Sequence, residues 1–126
     1  MKKYTLNKTL LRLLGILLFV LLSLQGDIGN DTVESFKAKI DELIKNPVKK
    51  YIMDFAEVSY VNSIGVGAVA AALKKAKKIQ GNIKFINVSS TVMELFELTR
   101  LTKVFEIYES EDEALRSYET APAQDK

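Results

Sequence analysis

At 126 residues, with 48% apolar and 27% charged side chains and a formal net charge of +2, the chain has the make-up of one small globular domain with a single core, and its charge does not point to nucleic acid. It contains neither Cys nor His. Disulfides, thiolate zinc sites, catalytic triads and imidazole bases are thereby excluded, and the lack of Cys fits a reducing, cytoplasmic setting.

In chain order, Lys2, Lys3, Lys8 and Arg12 lead into an apolar run from Leu13 to Leu24. The run has the charge and length of a signal-peptide core, but it falls short of the about 20 apolar residues of a spanning helix. Gln25-Gly26-Asp27 follows it, not a small-x-small cleavage site. A competing reading divides the run at Gly15 into two buried strands, residues 9 to 14 and 16 to 24. Export or membrane association through residues 1 to 24 is the alternative.

Thr32 stands as the expected N-cap of an amphipathic helix whose apolar face is Val33, Phe36, Ile40, Leu43 and Ile44, closed by Asn46-Pro47. Residues 48 to 55 read as a strand. Ser63 then opens a helix through Gln80, where its hydroxyl can cap the first free N–H groups, and where the partial positive charge of a helix start also tolerates a phosphate. Gly81 is the expected C-terminal glycine. Lys74, Lys75, Lys77 and Lys78 read as a solvated helix end that complements the dipole.

Residues 83 to 88 form a further strand, and Ser89-Ser90 caps a helix carrying Val92, Leu95, Phe96 and Leu98. A strand over residues 104 to 107 follows. Ser110 and Glu113 have capping-box spacing for a last helix through Ala114, Leu115 and Tyr118, and residues 119 to 126 are expected to be a mobile tail. The alternation of strands and helices predicts an α/β domain with a mostly parallel sheet. Such a sheet needs a strand before its first helix, which favours the strand reading of the N-terminal run. Asp27, Asp31, Asp54 and Glu57 offer carboxylates without a metal motif or a base, so neither an enzyme nor a cofactor is expected.

Four motifs, in order, resemble the STAS domains and, within them, the single-domain anti-sigma factor antagonists. They are Leu24-Gln25-Gly26-Asp27-Ile28 with Thr32 beyond it, Asn62-Ser63-Ile64-Gly65-Val66-Gly67, and the segment from Ser89 to Leu101. The resemblance runs from about Ile16 to Tyr118 and implies one STAS domain over residues 1 to 118, with a mixed, largely parallel sheet of four to five strands and about four helices. It implies a cytoplasmic partner-switching protein that binds an anti-sigma factor serine kinase and releases a sigma factor. Phosphorylation of Ser63 would end that docking, and a PP2C-type phosphatase would restore it. The partner-binding positions it implies are Asp27, Thr32, Asn62, Ser63, Ile64, Gly65 and Val66. The chain departs from the family pattern at Asn62, where an acidic residue usually precedes the serine, and at Gly29, which is often Asp. Asn62 and the apolar N-terminal run leave a second reading, a non-phosphorylated STAS regulatory subunit of a membrane transporter or signalling assembly.

Overall fold

The computed structural model describes residues 5–14, 17–45 and 49–120. Its five-stranded sheet has the spatial order β1 (Thr5–Leu14), β2 (Leu17–Gln25), β3 (Lys50–Glu57), β4 (Asn82–Ile86) and β5 (Glu106–Tyr108). β1 pairs antiparallel with β2, and the other three neighbouring pairs are parallel. The N-terminal run is therefore two strands, as its place ahead of the first helix requires. No helix among the described residues is long and apolar enough to cross a membrane.

Strands that succeed one another in sheet order, joined by right-handed crossovers, place their connecting helices on one face. Accordingly α1 (Val33–Leu43), α2 (Ser63–Lys78) and α3 (Ser90–Leu98) share one core. Phe36 and Ile40, Val69 and Leu73, and Val92 and Phe96 meet Val20, Leu22, Leu24, Met53, Phe55 and Phe85 there. The two-residue period of the strands sends Phe19, Leu21, Ile52 and Ile86 to the opposite face, where Ala114, Leu115 and Tyr118 of α4 (Glu111–Thr120) cover them. Under α3, Phe85 stacks on Phe105 at 4.6 Å between ring centroids, and Phe96 meets Phe105 edge-on at 5.0 Å. Such pairs add about 0.5–1.5 kcal/mol each beyond area burial.

Several boundaries differ from expectation for local reasons. β3 runs to Glu57, which pairs in register with Gln25 at the end of β2. Asn46-Pro47 and Val48 lie outside the described residues, as do residues 121–126, while α4 takes in Glu119 and Thr120. α2 ends at Lys78 with Ile79 as its C-cap, and the left-handed position that follows is Gln80, not Gly81: Gln80 takes φ 64°, and the N–H groups of Gln80 and Gly81 bond to Lys77 O and Ala76 O at 3.0 and 2.8 Å. The fifth strand is shorter and later than the sequence pattern suggests, because Leu101–Lys103 winds into a 3-10 turn first. At α4, Ser110 Oγ accepts from Glu113 N at 3.2 Å, but the Glu113 carboxylate accepts from Glu109 N, one residue ahead of the expected capping box.

The α4 face encloses one charge. Lys84 is 3% exposed, and its Nζ lies 3.0 Å from Glu106 Oε1, 2.7 Å from Ser117 Oγ and 4.3 Å from the Tyr118 ring centroid. Partial burial would raise the Glu106 carboxyl, but hydrogen bonds from Asn82 and Lys84, the Lys84 charge and the Tyr108 hydroxyl together leave it below the usual glutamate value. A lowered folded value means that the group stabilises the fold above the unfolded pKa of about 4.3, and that this contribution fades as pH falls through and below it. Glu106→Gln should cost about 1 kcal/mol at neutral pH, because Glu106 is half-exposed while Lys84 is not. The difference from the parent should vanish in urea titrations carried out well below pH 4.

Candidate functional site

Two loops at the ends of the parallel strands are tied into one platform. After β2, Gly26 takes φ 90°, a value that favours glycine, and its N–H bonds to Glu57 O at 3.1 Å. Ile28 then forms an isolated parallel bridge with Val61, with Ile28 N donating to Tyr60 O and Asn62 N donating to Ile28 O, both at 3.1 Å. Ser59 Oγ donates to Asp27 Oδ1 at 3.0 Å. The loop before α1 is thus fastened to the loop before α2.

Thr32 belongs to this fastening and does not act as the expected side-chain cap. It occupies the N-cap position of α1, but its Oγ1 donates to Asp27 O at 2.9 Å and accepts from Gly29 N at 3.0 Å, and the residue is buried at 5%. Thr32 therefore shapes the turn that carries Asp27 and does not present itself at the surface.

The serine also differs from the expectation. The N-cap of α2 is Asn62, whose Oδ1 accepts from Gly65 N at 2.8 Å. Its Nδ2 donates to Asn30 Oδ1 at 2.8 Å, an orientation that the Gly65 bond imposes on the amide. Ser63 is consequently the first helical residue, exposed, with its hydroxyl released from capping. The N–H groups of Ser63 and Ile64 have no intrahelical partner by geometry. The two departures from the family pattern are neighbours in space, since a Cβ on Gly29 would lie 3.0 Å from Asn62 Nδ2. An Asp at position 62 could cap Gly65 but could not donate to Asn30.

Among the other implied positions, Asp27 and Ile64 are exposed, whereas Gly65 and Val66 are buried beneath them. Gly65 has no room for a side chain: a Cβ there would lie 2.3 Å from Ile28 O. A Cβ on Gly67 would meet nothing within 4 Å, so the surface one turn beyond Ser63 is open.

The sequence pattern alone did not single out the second wall of the site. A groove of about 220 Å³ opens between the start of α2 and α3, lined by Tyr60, Asn62, Ser63, Thr91, Leu95 and Leu98 among others. Tyr60 is 54% exposed, Ile64 49% and Leu98 76%, an apolar surface beside the free hydroxyl. The signal lay in α3, where Val92 and Phe96 are buried, Leu95 is half-buried against the core beside them, and Leu98 falls off their stripe. No group of metal-ligating side chains occurs among the described residues.

This fold and loop platform define a STAS domain, and the family profile described as STAS domain matches residues 11–114. The chain belongs to that family. An anti-sigma-B factor antagonist of Listeria monocytogenes is 34% identical over 61 residues, which are 48% of this chain and 54% of that protein, so the match spans about half of the relative. The anti-sigma factor antagonist SpoIIAA in its unphosphorylated form superposes with a TM-score of 0.70 at 25% identity, covering 91% of this chain and 99% of that one. The Bacillus cell fate determinant SpoIIAA in the phosphorylated form gives 0.61 at 27% identity, covering 79% and 90%.

Proposed function

We propose that the chain is an anti-sigma factor antagonist that docks on an anti-sigma factor serine kinase through the surface around Ser63, and that phosphorylation of Ser63 ends the docking. The observation that carries this reading is the free hydroxyl itself. Asn62 does the capping, and Ser63 stands exposed among Tyr60, Ile64 and Leu98. Asp27, Asn62, Ser63 and Ile64 form the contact surface, while Thr32, Gly65 and Val66 support it from below. A relative of the same fold that has been solved in phosphorylated and unphosphorylated forms supports the same switch.

A phosphate adds about −1.5 to −2 charges at a surface that must be desolvated for docking, with Glu94 already lining the same groove. The open N–H groups of Ser63 and Ile64 can satisfy phosphate oxygens, so the charge acts on the partner and not on the fold. A PP2C-type phosphatase reverses the step.

The test is incubation with the cognate anti-sigma kinase and ATP, followed by mass-spectrometric mapping and a pull-down. Ser63 should carry the phosphate, and Ser63→Glu should weaken docking about 100-fold. Leu98→Asp should weaken docking roughly tenfold or more with unchanged stability, since Leu98 is outside the core. Docking to a membrane complex with Ser63 never modified would instead select the non-phosphorylated regulatory subunit, the reading that neutral Asn62 favours.

A further inference from the structure

The four loops that leave the parallel strands β2 to β5, with the first turns of the helices they enter, all lie at one end of the sheet. Over residues 25–36, 57–66, 87–96 and 109–115 they hold three, one, one and four carboxylates and no Lys or Arg, although the chain has 18 basic residues. Lys8 of the edge strand β1 stops short of this end, level with Ser23.

Helix dipoles account for only part of this charge. Glu34 and Glu111 to Glu113 stand in first turns, where carboxylates are favoured, but α2 and α3 carry no acid in theirs, and Asp27, Asp31 and Glu57 belong to no helix. Nor does the fold neutralise these acids. Toward the other end, Asp41, Glu42 and Glu106 are held by Lys75, Lys39 and Lys84 at 2.6, 3.3 and 3.0 Å. Asp27, Asp31, Glu57 and Glu94 are exposed and make no ion pair among the described residues. The groove at Ser63 differs in character: Glu94 is the one charged residue that lines it, and Tyr60, Ile64 and Leu98 expose apolar surface beside the hydroxyl.

We propose that the anti-sigma partner brings to this end a face rich in Lys and Arg around an apolar centre, that the carboxylates steer its approach, and that the apolar groove holds it once seated. The inference deepens the proposed docking at Ser63 and rests on it. Rim charges act on the association rate and its salt dependence, whereas contacts in a dry centre act on dissociation. The phosphate thereby gains a defined place in the kinetics. It has the sign of the carboxylates, so it does not repel an approaching cationic face. It acts after contact, in the groove, where its oxygens must give up water. Phosphorylation accordingly shortens the life of the complex and leaves the rate of encounter nearly unchanged. Nucleic acid and anionic lipid, both negatively charged, are turned away from this end.

The test is stopped-flow kinetics of the full chain with the purified anti-sigma kinase that docks in the pull-down above. The association rate should fall about tenfold as salt rises from about 0.01 M to about 0.15 M, over which the Debye length shortens from about 30 Å to about 8 Å. Combining Asp31→Asn, Glu57→Gln and Glu94→Gln should lower the low-salt association rate about tenfold, change dissociation by less than about twofold, and leave urea unfolding as in the parent. Ser63→Glu should keep the association rate within about twofold and raise the dissociation rate about 100-fold. An association rate that ignores both salt and the triple variant, or a Ser63→Glu variant whose loss lies in association, would overturn the proposal and leave docking at Ser63 standing. So would sedimentation of the chain alone above its monomer mass at low salt, because the acidic end would then be taking the lysines of a second copy. Absence of docking at any salt would overturn the proposed function itself, and the steering with it.

Discussion

Tyr118→Ala should lower stability by about 3–5 kcal/mol. Tyr118 is the last large anchor of α4, buried at 9% against the strand face that carries Ile52 and Ile86. Its hydroxyl accepts from Tyr51 N at 3.2 Å and donates toward Tyr51 O and Asn82 O, each at 2.8 Å. One side chain thereby ties α4 to the backbones of β3 and β4. Burial pushes the phenol well above its ordinary pKa, outweighing the hydrogen bond to Tyr51, so the donor proton is retained throughout the working range of the protein. Tyr118→Phe separates the two contributions. It keeps the ring over Lys84 and loses the hydroxyl, and should cost about 1–3 kcal/mol because a buried N–H is left without its partner. Urea unfolding of the two variants measures both. Near-equal losses would show that the ring contributes little and the hydroxyl carries the attachment.

The second large effect sits under the functional surface. Gly65→Ala should cost about 2–4 kcal/mol, because the added methyl would approach Ile28 O to 2.3 Å and Val61 Cγ1 to 2.8 Å. The nearest obstacle is backbone, and that backbone belongs to the bridge joining the two loops. Relief therefore requires the loops to part, and docking should fail even in the fraction that remains folded. Gly67→Ala, two residues along, should do the opposite to stability. It adds a methyl into open space and gains about 0.5–1 kcal/mol of helix propensity. Thermal unfolding of the pair compares identical chemistry in one helix turn, and opposite signs are the expected result.

The alternation of elements was legible in the sequence because apolar periodicity is a local property. The N-terminal run shows the limit of that signal: Leu13 to Leu24 has no period of its own, and only the need of α1 for a preceding strand decided it. The capping assignment was harder. Thr32 and Ser63 both stand where a hydroxyl caps, yet Thr32 is drawn to Asp27 O, 2.9 Å away, and Asn62 reaches the Gly65 N–H first. Such competition between adjacent side chains depends on where the neighbouring loop lies, which residue spacing does not encode. The α3 wall was missed for a related reason. Leu98 looks like a core residue until the sheet shows that Val92 and Phe96, with Leu95 half-buried beside them, already fill it.

Asn62 separates scaffold from signal by a single peptide bond. Had Ser63 held the helix start, any chemistry on its hydroxyl would have removed a structural bond, and the amount of folded protein would have changed with its state. With the amide of Asn62 in that role, residue 63 can gain or lose a charge while every hydrogen bond of the platform stays in place. Under the proposed switch, the population of folded molecules would remain constant and only the fraction able to dock would vary. A cell could cycle such a molecule many times without refolding it or replacing it.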